Sequence, residues 1–150
     1  MFRSILCSFD PDKYLNNNES KIKKDLERLR KEAINYNIKQ WKEGNLEVQY
    51  GILFEHGNLM LGKRGFARDF DDYSEEYLMN RYRNYMMNPN TWGSQVEMKA
   101  ISHVLNISIH LYKEYDKFGP NNPQIINPEY NQEVRIVHRN KNHYDSLLPK

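Results

Sequence analysis

Apolar residues stand at positions 2, 5, 6 and 9 (Phe2, Ile5, Leu6, Phe9), a one-sided spacing that predicts a buried helix over 2–9, ended by Asp10 and Pro11. No capping residue precedes it; apolar positions begin directly after Met1. After the polar NNNES at 16–20, Ile22, Leu26, Leu29, Ala33 and Ile34 recur three, four and seven apart, which predicts an amphipathic helix from Lys21 to Lys42 with a solvated charged face. The glycine-dotted stretch 51–73 fits neither period and is left unassigned.

Residues 74–87 read as a helix capped by Ser74, with Tyr77, Leu78, Tyr82, Tyr85 and Met86 on or near one stripe, and NPN at 88–90 breaks it. SQVE at 94–97 is a capping box, in which Ser94 and Glu97 each satisfy an amide of a helix start. The helix behind it, about Gln95 to Leu105, should bury Val96, Ala100, Ile101, Val104 and Leu105 and stop at Asn106. The period then changes to two. In 107–113, Ile107, Ile109 and Leu111 alternate with Ser108, His110 and Tyr112, a strand with one buried face. KFGPNNP at 117–123 reads as a loop, QIIN at 124–127 as a short strand and VRIVH at 134–138 as another. Helices first and strands later predict an α+β fold, a sheet of about five strands flanked by helices.

With 150 residues there is room for one domain, spanning 1–150. Mixed charges, 22 Lys and Arg against 20 Asp and Glu, leave a net charge of only +2, which makes no general electrostatic case for a polyanion partner and leaves only a local basic patch open. The isoelectric point of about 8.5 and the Lys/Arg-bearing helix at 21–42 are the only support for nucleic-acid binding, and there the charges alternate in sign. No run approaches the length of a membrane helix, and no signal peptide is visible. A single cysteine, Cys7, excludes an internal disulfide and a zinc ribbon and favours a reducing, cytoplasmic setting, the nucleus not excluded.

For chemistry, His143 and Asp145 stand two apart after the VRIVH strand. In extended backbone they point to one side, which makes a histidine base oriented by a carboxylate geometrically open; the alternative is a surface histidine in a tail. His103, His110 and His138 read as packing or solvent-facing residues. A zinc site of His138 and His143 lacks two further ligands, so no metal is expected. Cys7 lies near the far end of its short apolar helix, away from the helix N-terminus that would activate a thiolate, and reads as a small core residue. The acidic pairs Asp71/Asp72 and Glu75/Glu76 favour a helix start rather than catalysis.

Three separated blocks, MFRSIL (1–6), TWGSQVEMKAIS (91–102) and NHYDSL (142–147), together resemble the ovarian tumour (OTU) family of cysteine peptidases, which remove ubiquitin from proteins. The family's blocks have the forms DGNC-[LM]-F-R-[AS]-[IL], WGGxxELxALS and HY-[DN]-SL, and the likeness covers essentially the whole chain. It implies a papain-type fold without a cofactor, acting as a monomer on ubiquitin or a ubiquitin-like modifier. His143 then matches the general base and Asp145 the residue that orients it. Phe2 and Arg3 match the pair just after the nucleophile. Trp92, Gly93 and Glu97 match the middle block, with Ser94 in place of a glycine and Trp92 and Gly93 in a substrate-binding segment.

In that pattern the nucleophilic cysteine immediately precedes the place of Met1, so neither it nor the DGN loop lies within these residues. Cys7 is seven residues beyond that place, and seven helical residues advance about 10 Å, whereas a productive sulfur–imidazole contact is about 3 to 4 Å. The expectation is therefore a deubiquitinase domain that begins just after its nucleophile, inactive over 1–150 alone. The alternative is a non-catalytic ubiquitin-binding module.

Overall fold

A computed structural model describes residues 1–14, 19–62, 70–114, 122–139 and 143–146. Among them are six α-helices followed by a four-stranded mixed sheet, the expected α+β class with four strands rather than about five. The chain divides into two compact units, residues 1–29 with 101–150, and residues 30–100. No helix among the described residues is long and apolar enough to cross a membrane.

The first unit begins with α1 (Phe2–Phe9), which ends at Asp10 as the spacing predicts and buries Phe2, Ile5, Leu6 and Cys7. Pro11, whose missing N–H is no loss in a first turn, opens the short α2 (Pro11–Tyr14). Next comes α3 (Glu19–Lys42), which enters the second unit at Arg30. Most of the NNNES connector lies outside the described residues.

The sheet consists of β1 (Ile107–Lys113), β2 (Gln124–Ile126), β3 (Gln132–Arg139) and β4 (His143–Ser146), in the order β2-β1-β3-β4. β1 and β3 are parallel, and the outer strands run antiparallel to their neighbours. Ile107, Ile109, Leu111, Ile126, Val134 and Ile136 are buried, and α1 lies against β3 and β4. The expected one-sided burial of β1 needs one correction: Ser108 is buried too, and its Oγ has no partner among the described residues. Asn106 and Asn127 take left-handed φ of 54°, ending α6 and β2 at residues whose short amide tolerates that region. The loop expected at 117–123 lies mostly outside the described residues.

In the second unit α3 packs Ile34, Ile38 and Trp41 with α4 (Leu46–Met60) and α5 (Glu75–Met87), through Ile52, Met60, Leu78, Tyr82 and Met86. α4 occupies much of the unassigned stretch. Ser74 caps α5, accepting the Tyr77 N–H at 3.1 Å, but Tyr77 itself is exposed and stacks on Tyr73 rather than facing the core. α6 (Gln95–Leu105) follows its expected bounds and passes into the first unit at Ile101. It buries 96, 97, 98, 100, 101 and 102 while Val104 and Leu105 are half-buried, so the helix is enclosed rather than one-sided.

Candidate functional site

In the first unit the antiparallel pairing of β3 and β4 sets Arg139 opposite His143 and Val137 opposite Asp145. Side chains of directly opposed residues share a face, so Arg139, His143 and Asp145 project together. His143 Nε2 lies 2.8 Å from Asp145 Oδ1, and Arg139 Nε donates to Asp145 Oδ2 at 2.8 Å. An ionised carboxylate only accepts, so the bond requires the proton on Nε2 and leaves Nδ1 as the ring nitrogen with a lone pair. His143 is 68% exposed at its side chain, as a base that must meet a substrate requires. On the opposite face His138 stacks on Tyr144, its directly opposed partner, with ring centroids 4.2 Å apart and planes nearly parallel, a cross-strand contact that supports the pairing beside the site.

The start of α1 meets the same strand. Ser4 Oγ donates to the Tyr144 carbonyl at 2.6 Å, and Ser146 Oγ donates back to the Ser4 carbonyl at 2.7 Å. Further along α1, Ser8 Oγ donates to the Arg135 carbonyl at 3.2 Å. The N-terminal turn of α1 is thus held beside β4, and two blocks more than 130 residues apart in sequence are brought together. Phe2 is buried. Arg3 makes a two-pronged contact with Glu19, 2.7 and 3.3 Å, which holds the Glu19 carboxyl below its usual range. Cys7 is 8% exposed, in the second turn of α1.

Trp92, Gly93, Ser94 and Glu97 belong to the second unit. Trp92 is 68% exposed, whereas Glu97 is wholly buried. Glu97 Oε1 accepts the Ser94 N–H at 2.7 Å, the half of the capping box that the sequence predicts. The Ser94 hydroxyl also turns to Glu97, at 2.9 Å. Two more residues complete the cluster: His56 of α4, which the sequence reading did not single out, with Nε2 at 2.7 Å from Oε1, and Tyr82 of α5, read from the sequence only as a stripe residue, whose hydroxyl donates to Oε2 at 2.8 Å. Asn37 donates to the Tyr82 oxygen at 3.0 Å and to the Val96 carbonyl at 3.3 Å. Burial, and then the Glu97 charge, push the Tyr82 hydroxyl well above the usual tyrosine range, so it stays a donor. The cluster anchors the start of α6 and the segment carrying Trp92. A polar residue inside the apolar stripe of α6 was the signal that Glu97 does more than cap; His56 left none, sitting in a stretch without a period.

The sequence profile described as "OTU-like cysteine protease" matches residues 1–146. The chain is 33% identical to the "OVARIAN TUMOR DOMAIN-containing deubiquitinating enzyme 4" of Arabidopsis thaliana, over 67% of this chain and 38% of that protein. It is 28% identical to the "Deubiquitinase otu" of Drosophila melanogaster, over 53% of this chain and 8% of that protein. The chain therefore spans well under two thirds of the relatives it matches. Matched along nearly its whole length, this chain belongs to the family of OTU-like cysteine proteases.

Proposed function

We propose that this chain carries the base half of a thiol-dependent deubiquitinase that hydrolyses the isopeptide bond after the C-terminal glycine of ubiquitin or a ubiquitin-like modifier. The observation that supports this reading best is the joining of α1 to β4 through Ser4 and Ser146, beside the bonded His143–Asp145 pair. A cysteine at the family's place, immediately before Met1, would then stand at the helix start adjoining the base strand. His143 Nδ1 takes the thiol proton, and the thiolate attacks the isopeptide carbonyl to give a tetrahedral oxyanion. Its collapse breaks the C–N bond, His143 returns the proton to the departing lysine amine, and water hydrolyses the thioester. Asp145 holds the imidazole and stabilises its charged form. Trp92 and Gly93 contribute to substrate binding. In this reading residues 1–150 form one OTU-like domain, monomeric and cytoplasmic, using no metal or cofactor and binding neither nucleic acid nor membrane.

Two measurements test it. The coding sequence upstream of Met1 should hold in-frame codons for a DGNC-like segment, and a chain including them should cleave di-ubiquitin while residues 1–150 alone do not. Cleavage by residues 1–150, with a ubiquitin thiol probe attached at Cys7, would contradict the assignment. The burial of Cys7 favours a second reading for these residues alone, a module that binds ubiquitin without cutting it. Titration with ubiquitin decides that, and no binding at high micromolar concentration removes it.

A further inference from the structure

The His143–Asp145 contact joins two exposed side chains on neighbouring positions of one strand, 68% and 42% exposed. Such a pair, screened by solvent, is too weak to hold an aspartate against its other rotamers by itself. Asp145, however, is gripped twice. Oδ1 faces His143, and Oδ2 accepts from Arg139 Nε at 2.8 Å. Contacts on both oxygens restrict the turning of the carboxylate more than either contact does alone. Nη1 of Arg139 also lies 3.8 Å from Glu114 Oε2, an ion pair too long for a hydrogen bond, just past the end of β1, where the Glu114 N–H continues the ladder to the His138 carbonyl at 3.2 Å. The guanidinium therefore spans β1, β3 and β4.

Resting on the reading of His143 as the base, we propose that Arg139 is a positioning residue of this site: it locks the Asp145 carboxylate in the orientation that holds the His143 ring with Nε2 protonated and Nδ1 free to act. The residue touches no reacting atom; it acts through Asp145.

The proposal is tested on residues 1–150 by NMR. The Asp145 side-chain couplings report its χ1 rotamer, and the ring Nε2–H resonance of His143 reports the bond. In the wild-type chain Asp145 should occupy one rotamer and the Nε2–H signal should be visible. Arg139→Gln should lose both, with amide shifts confined to residues near 137–146, and Arg139→Lys, which keeps the charge, should retain part of the signal. If Arg139→Gln leaves rotamer and signal intact while Asp145→Ala abolishes the signal, the assignment to Arg139 is overturned and the His143–Asp145 pair stands. If Asp145→Ala also leaves the signal unchanged, the pair does not form in solution, and the reading of His143 as an oriented base falls with it.

Discussion

Several donors converge on Glu97: the Ser94 N–H and hydroxyl, His56 and Tyr82 all reach its buried carboxylate. Glu97→Gln keeps the shape but sets an NH2 against groups that themselves donate, and should cost about 2 kcal/mol. Glu97→Ala also opens a cavity and should cost about 3 kcal/mol or more. The urea midpoints of the two variants check this, and a Gln variant as stable as the parent chain would show that the cluster contributes no net stability. A second residue pair gives a pH test. The Tyr14 hydroxyl donates to Asp25 Oδ2 at 2.8 Å, and this bond, ahead of the nearby Lys13 and Arg28 charges, holds the Asp25 carboxyl below its ordinary 3.8. A depressed folded value means that the contribution is complete above 3.8 and lost as pH falls through the folded value. Tyr14→Phe should therefore cost about 1–2 kcal/mol at pH 7, and the gap to the parent chain should close as unfolding is followed to lower pH. A gap constant with pH would exclude the linkage. At this scale His143 and Asp145 were legible, because strand geometry alone puts i and i+2 on one side. Arg139 was not, since its nearness to Asp145 depends on a hairpin register that no residue announces.

At the scale of elements, α1 owes its place to side chains as much as to its apolar stripe. Removing both cross-links with the pair Ser4→Ala and Ser146→Ala takes away two hydrogen bonds to β4 while leaving Ile5 and Leu6 buried. At about 1 kcal/mol each, amide exchange in 144–146 should quicken by roughly 10- to 30-fold by mass spectrometry, with β1 unchanged. Equal acceleration in β1 would mean that the bonds hold the whole sheet and not β4 alone. The end of α1, the bounds of α6 and those of β1 were all legible, because burial there follows helix or strand period. α4 was illegible for a physical reason. Its solvent face carries Leu46, Tyr50 and Phe54, the last 87% exposed, while its buried face carries His56 and Gly57. Gly57 lets the Phe70 ring lie against α4: a Cβ there would come within 2.4 Å of the tip of that ring, which would have to move aside. With apolar residues outside and a histidine and a glycine inside, no stripe exists to be read.

On the scale of the whole molecule, the division into two units makes cooperativity measurable, because each unit carries its own reporter. Cys7, the single cysteine, is buried in the first unit, and Trp41 is buried in the second. Two helices, α3 and α6, are covalently common to both units, each beginning in one and ending in the other. Unfolding either unit alone would have to break a helix in its middle, exposing new ends whose last four amides and carbonyls lose their partners. That penalty favours a single transition, consistent with a proposed single domain over 1–150. Cys7 labelling by a thiol reagent and Trp41 fluorescence, read with Trp92→Phe to silence the exposed tryptophan, should give one urea midpoint. Separated midpoints would show two folding units, and the order of the transitions would identify the weaker. The same labelling bears on the chemistry. If Cys7 reacts only with unfolding, its thiol is a core group in solution; reaction in the folded chain at the rate of a free thiol would reopen it as a candidate nucleophile.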